Sequence, residues 1–291
     1  MPSPIIKTIG RTISKWGEGP IWSGSHLYYV DIEGHKLIRI DPDSGIEEQW
    51  DVGEQIGSVA LTQRDNEVIY AGASGYIRFN LESREKTTLA DPEANLHNTN
   101  RFNDGKCDPA GRFWAGTISM KKEEGAANLY SLETDGRCVH HLSELTNSNG
   151  ICWSPDNKVM YHIDTPKKAV HSYNYDIEKG KICNPHVAID TKKHGYESSP
   201  DGMTIDSEGM LWVAFCHGGC VVRFDPLENK ELQRVNLPCI ETTSCAFGGD
   251  NLDRLFVTTG VKPNFAEVDA GKIFVVDEIG VKGLPAFTYC I

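Results

Sequence analysis

Two twelve-residue stretches lying almost a hundred positions apart share one register. Asn103-Asp104-Gly105-Lys106-Cys107-Asp108-Pro109-Ala110-Gly111-Arg112-Phe113-Trp114 and Asp201-Gly202-Met203-Thr204-Ile205-Asp206-Ser207-Glu208-Gly209-Met210-Leu211-Trp212 each place Asp five, Gly eight and Trp eleven residues after the first position. The same register recurs at Asn149-Gly150-Ile151-Cys152-Trp153-Ser154-Pro155-Asp156-Asn157, with Tyr161 one place late, and at Glu18-Gly19-Pro20-Ile21-Trp22-Ser23, followed by Tyr28 and Tyr29. Weaker copies start at Ser58 and Ser244. The six starts, Glu18, Ser58, Asn103, Asn149, Asp201 and Ser244, are separated by 40, 45, 46, 52 and 43 residues, the spacing of four-stranded propeller blades.

Local sequence agrees with that spacing. Helical periodicity is scarce, whereas Leu27-Tyr28-Tyr29-Val30, Val68-Ile69-Tyr70-Ala71, Leu211-Trp212-Val213-Ala214 and Leu255-Phe256-Val257 are β-branched and aromatic runs bounded by turn formers. With 39% hydrophobic and 24% charged residues the chain has a globular composition. The expectation is an all-β fold, one six-bladed propeller domain over residues 1–291. A lone blade cannot bury both of its faces, so ring closure must supply stability, and Ile5-Ile6-Lys7-Thr8-Ile9 is predicted to close it beside a C-terminal strand around Ala286-Phe287-Thr288-Tyr289.

Innermost strands line a propeller's channel, so equivalent positions converge there. The six starts predict a ring of Glu, Ser, Asn, Asn, Asp and Ser, which needs water, a ligand or an ion for satisfaction. Carboxylates and amides are hard oxygen donors, and the ring holds neither His nor Cys, which favours Ca²⁺, Mg²⁺ or Mn²⁺ over a dedicated zinc site. The plainer reading is that these side chains cap strand ends and bind channel water.

Several functions are disfavoured. A formal net charge of −12 opposes nucleic acid and anionic membrane as partners. No segment approaches eighteen consecutive apolar residues, and Met1-Pro2-Ser3-Pro4-Ile5-Ile6-Lys7 lacks the basic and apolar halves of a secretory signal. Nine scattered cysteines make no disulfide framework, so the reading is a cytoplasmic protein. Cys216 and Cys220 lie in a Gly-rich turn context without a second pair and are given no metal role; the ten histidines show no ligand spacing. Asp104, Asp108, Asp156 and Asp206 are assigned to the turns of the repeat. There is no Gly-x-Ser-x-Gly elbow or phosphate-binding glycine loop.

Gly17-Glu18-Gly19-Pro20-Ile21-Trp22, Asn100-Arg101-Phe102-Asn103-Asp104-Gly105-Lys106, Ser148-Asn149-Gly150, Pro200-Asp201-Gly202-Met203 and Thr243-Ser244-Cys245-Ala246-Phe247-Gly248-Gly249 together give the chain its resemblance to a known family. It resembles the gluconolactonases, regucalcin (senescence marker protein) and luciferin-regenerating enzyme, and Val281-Lys282-Gly283 looks like that family's C-terminal strand. The resemblance implies one divalent metal on Glu18, Asn149 and Asp201, with Arg101 and Asn103 reaching the substrate. Ca²⁺ leads on the oxygen ligands, with Mg²⁺, Mn²⁺ or Zn²⁺ as alternatives. It also implies hydrolysis of a sugar-derived lactone, with Asp201 as general base or as ligand alone.

Arg101 and Asn103 are two apart, so on a strand both face one side. Ser119-Met120-Lys121-Lys122-Glu123-Glu124-Gly125-Ala126-Ala127 occupies a loop that can cover the family's site; its Lys121 is a candidate substrate contact, against the alternative of a solvated charge. Rival functions are phosphoester hydrolysis on the same metal and non-catalytic calcium binding. Oligomeric state is not legible.

Overall fold

The computed structural model describes residues 4–290. They form six four-stranded antiparallel sheets arranged as a β-propeller, with one 3-10 turn at Thr165–Lys167. Innermost strands are Gly17–Ser23, Ile56–Leu61, Asn100–Cys107, Ser148–Trp153, Ser199–Ile205 and Thr242–Gly248, each packed against the next around the channel. All six sequence starts fall on these strands. Inner strands are buried almost throughout, so they read as small and apolar runs; the outermost Lys230–Asn236 alternates exposed and covered positions and reads as amphipathic.

The Asp and Trp of the repeat are explained by one local interaction. Trp114 Nε1 donates to Asp108 Oδ2 at 2.9 Å, and Trp212 Nε1 donates to Asp206 Oδ2 at 3.0 Å. The other oxygen of each Asp accepts two turn amides, from Ala110 and Arg112 in one copy and from Glu208 and Met210 in the other. One carboxylate therefore closes the turn and anchors the large aromatic of the next strand. Apolar side chains pack into six buried clusters, one at each junction between neighbouring blades. No blade owns a core, which is why the closed ring is the stable unit.

Every innermost strand carries a register shift, located at Glu18/Ile21, Ile56/Ser58, Phe102/Gly105, Ser148/Ile151, Pro200/Met203 and Thr242/Ser244. Such bulges bend a strand and re-aim side chains. The glycines at these bulges answer to crowding: a Cβ on Gly202 would lie 2.0 Å from Ser244 Oγ and 2.7 Å from its Cα, and one on Gly57 would lie 2.5 Å from Asn103 Cα. Inner strands meet too closely around the axis for a side chain there.

Three expectations are corrected. Ile5–Ile9 closes the ring, but its partner is Ile273–Asp277 in the sixth blade. Residues 286–289 instead run across the far end of the channel, where Tyr289 bridges Thr62. Val281-Lys282-Gly283 is no strand; Gly283 makes an isolated bridge to Asp206. Alternation of apolar residues marks strand-forming segments without naming their neighbours, and Ile273–Asp277 offers the more continuously buried edge. Asp104 lies within the strand Asn100–Cys107, buried, and not in a turn.

Candidate metal centre

Four of the six ring residues, Glu18, Asn103, Asn149 and Asp201, line one cavity of about 660 Å³ at the mouth of the channel. Each is at most 7% exposed. The two serines part company with them: Ser244 lines a constriction further along the channel, and Ser58 Oγ is buried with no hydrogen-bond partner. Side-chain length and the bulges select the mouth. Arg101, Trp16, Glu33, Lys122, Thr165, Lys168, Cys216 and His217 are among the other residues of its wall. Lys121 is exposed on the same loop as Lys122 but does not line the cavity. The loop is pinned by Gly125 N–H donating to Thr146 Oγ1 and Ser119 N–H donating to the Thr146 carbonyl.

Asn103 organises one side. Its Nδ2 donates to the Ser148 carbonyl at 2.8 Å, to Asn149 Oδ1 at 3.1 Å and to Asn147 Oδ1 at 3.2 Å, and its Oδ1 accepts from Arg101 Nη1 at 2.8 Å. Arg101 and Asn103 thus share a face, as their spacing predicts. Asn149 Nδ2 donates to Thr165 Oγ1 at 2.7 Å, and that hydroxyl donates to the Pro200 carbonyl at 2.9 Å. This chain ties blades four and five together and leaves the Asn149 amide oxygen on the cavity side.

The carboxyls are crowded by burial and by one another. Burial holds Glu18 well above the ordinary carboxylate range, reinforced by Asp201 and Asp104 and only partly offset by the Gly19 amide and Arg101. Asp201 is raised in the same way, by burial first and then Asp104, with the Cys216 thiol and Arg101 opposing. Burial also lifts Asp104, which Lys106 partly relieves. Three buried carboxyls share a channel in which Arg101, the mouth cation acting on Glu18 and Asp201, is itself depressed by burial and sustained by Glu33, Glu18 and Asp201. A small multivalent cation would neutralise such a group with oxygen ligands. Glu18, Asn149 and Asp201 offer two carboxylates and an amide from three different blades, a donor set that fits a hard divalent ion.

Asn147 and Thr165 in this wall, and Asp104 at the constriction beyond it, are not disclosed by the repeat. Asn147 and Thr165 lie outside the shared register, and Asp104 follows a ring residue and reads as a turn former until the bulge turns it toward the channel. A second group is more remote still. Cys216, His217 and Glu241 bring their ligand atoms within 4.8 Å of one another at the rim. Cys220 is instead buried in the core between blades four and five.

Comparison with known proteins follows the same outline. The family model for the SMP-30/Gluconolactonase/LRE-like region matches residues 16–261. Regucalcin of Gallus gallus is 37% identical over 301 residues, covering 99% of both chains. A protein of Bacillus subtilis named "Putative sugar lactone lactonase YvrE" is 37% identical over 265 residues, 89% of both chains. Among solved structures, regucalcin from Agrobacterium tumefaciens, described as a calcium-binding protein, superposes with a TM-score of 0.90 at 27% identity over 98% of each chain.

Proposed function

The chain belongs to the SMP-30/gluconolactonase/LRE-like family, and on that premise we propose that it hydrolyses a sugar-derived lactone to the aldonic acid, using one divalent ion held by Glu18, Asn149 and Asp201. The observation that carries this reading is the buried carboxyl pair Glu18 and Asp201 beside the Asn149 amide in the wall of one cavity of about 660 Å³. Ca²⁺ is the first choice, because all three donors are hard oxygens and a structural neighbour is described as calcium-binding.

When bound, the ion would polarise the lactone carbonyl and stabilise negative charge on its oxygen during ring opening, a contribution of several kcal/mol. Asp201 is the residue to accept the proton of the attacking water at a carboxylate oxygen, because an Asp can stay beside an ion while turning an oxygen toward water. Arg101, held in orientation by the Phe102 carbonyl and Asn103 Oδ1, presents its remaining N–H donors to hydroxyls or to the emerging carboxylate. Asn103 positions Arg101 and Asn149 together. Lys122 is the loop cation that faces the cavity, and takes the substrate-side place considered for Lys121.

A pH-stat assay over aldono-lactones tests the reading, run on chelated protein with Ca²⁺, Mg²⁺, Mn²⁺ or Zn²⁺ restored singly. Metal-restored ring opening above the spontaneous rate supports it. No acceleration with any metal, alongside tight Ca²⁺ binding, would favour the non-catalytic calcium-binding alternative. Phosphoesters belong on the same panel because Arg101, Lys122 and Lys168 put three cationic side chains on the cavity wall.

A further inference from the structure

We propose that Cys216, His217 and Glu241 form a second cation site at the rim of the channel mouth, suited to Zn²⁺ and adjoining the oxygen-donor ring. Cys216 ends the strand Leu211–Cys216, His217 opens the following hairpin turn, and Glu241 sits in the connection from blade five to blade six. Cys216 Sγ lies 3.3 Å from Glu241 Oε2 and 3.9 Å from His217 Nδ1, and Nδ1 lies 2.7 Å from the same carboxylate oxygen. Tetrahedral zinc with Zn–S near 2.3 Å and Zn–N or Zn–O near 2.1 Å sets ligand separations of roughly 3.4–3.6 Å. Two separations are already close to that spacing, and the third opens when a metal replaces the His217 to Glu241 hydrogen bond.

The backbone under these ligands is braced. Cys216 and Glu241 form an antiparallel bridge, Gly219 N–H donates to the Ile240 carbonyl, Gly260 N–H donates to the Glu241 carbonyl, and His217 N–H donates to Glu241 Oε2. His217 adopts φ 63°, a left-handed conformation uncommon for a residue with a Cβ, and with it the imidazole faces Glu241. Cys216 and Glu241 are buried while the His217 side chain is 56% exposed, so an ion has an open approach on one side. A thiolate, an imidazole and a carboxylate prefer a borderline-soft ion, whereas Glu18, Asn149 and Asp201 offer oxygen alone. The two donor sets therefore prefer different cations, although Cys216 and His217 line the same cavity as Glu18, Asn149 and Asp201.

Co²⁺ is the probe. Added to the chelated, reduced full chain it should give a near-ultraviolet thiolate-to-Co²⁺ charge-transfer band that stoichiometric Zn²⁺ removes and excess Ca²⁺ does not. Cys216→Ser should abolish the band, and Glu18→Gln and the exposed-cysteine control Cys183→Ser should keep it. His217→Ala, at an exposed side chain, should weaken Co²⁺ binding at least about tenfold, a loss that even outer-shell partners of metal ligands can cause. Circular dichroism checks folding of each variant; if Cys216→Ser does not fold, His217→Ala decides. No band in the parent protein, or a band of unchanged affinity in Cys216→Ser or His217→Ala, overturns the proposal.

Discussion

The side-chain amide of Asn103 donates to the amide oxygen of Asn149 at 3.1 Å, linking the inner strands of blades three and four in the wall of the mouth cavity. Removing it deprives the Asn149 oxygen of its orienting donor and Arg101 of one acceptor. Asn103→Ala should therefore weaken Ca²⁺ binding by about tenfold, as loss of outer-shell partners does, and lower kcat/KM together with it. Calorimetric Ca²⁺ titration checks this; unchanged affinity would place Asn103 outside the metal's support.

Replacing Glu18 by Gln or Asp201 by Asn should abolish Ca²⁺ binding and lower turnover at least about a hundredfold, the scale of losing a general base or a stabilising charge. The metal-free variants should also be more stable at neutral pH than the metal-free parent. Both carboxyls are raised above their ordinary values of 4.5 and 3.8. Below those values folded and unfolded chains are both protonated and no penalty arises. As pH rises through the raised folded-state values, ionisation in burial removes stability. Urea midpoints with and without Ca²⁺ read the effect: saturating ion at a hundred times its Kd should restore about 2.7 kcal/mol to the parent and nothing to the variants.

Arg101→Ala separates substrate from metal. The guanidinium lies in the field of Glu18, Asp201 and Glu33, so its loss removes a competing positive charge and Ca²⁺ affinity should hold or tighten. Loss of its donors should cut kcat/KM at least about tenfold, the cost of one charged hydrogen bond. Steady-state kinetics beside calorimetry decides; unchanged kcat/KM would remove Arg101 from the substrate side.

Gly202→Ala tests the crowding at the channel axis. A methyl group there meets Ser244 Oγ at 2.0 Å and the backbone of Ser244 at 2.7 Å, so strands from blades five and six must part. The expected cost is about 1–3 kcal/mol, the range for overpacking, together with lost activity because Asp201 is the adjacent residue. Ser244→Gly in the same chain should recover only part of it, since the clash with the main chain at position 244 persists. A denaturation midpoint equal to that of the parent would contradict the close approach.

His141 and His162 lead the acid limit, with His171 depressed by burial in the same direction. Burial pushes His141 down to about 4 and His162 down to about 3, from an ordinary value of 6.5. Their folded-state values are depressed, so the stability they confer is present above pH 6.5 and is lost as pH falls from there toward 4 and 3. With Ca²⁺ saturating, stability between about pH 6 and 5 should fall by up to about 1.4 kcal/mol per pH unit for each histidine. His162→Gln should flatten that slope by about half. An unchanged slope would mean that His162 is charged in the folded protein.

The blade count and the register were legible in the chain because their causes are local. Asp206 binds the indole of Trp212 and the amides of Glu208 and Met210, all within six residues, so the motif repeats wherever a blade repeats. The glycines beside Glu18, Asn149 and Asp201 were visible for a related reason, since each inner strand meets its neighbour at the same height. What the repeat could not say is which starts reach the mouth. Glu18, Asn103, Asn149 and Asp201 do, Ser244 lines the constriction and Ser58 is sealed, a division that follows where the bulge falls in each inner strand. Asp104 joined Glu18 and Asp201 electrostatically for the same reason. Cys216 and Glu241, 25 residues apart with no shared register, met only once blades five and six packed. Local hydrogen bonds leave a period in the sequence; contacts made by closing the ring leave none, and so the tertiary structure alone brought the candidate ligands together.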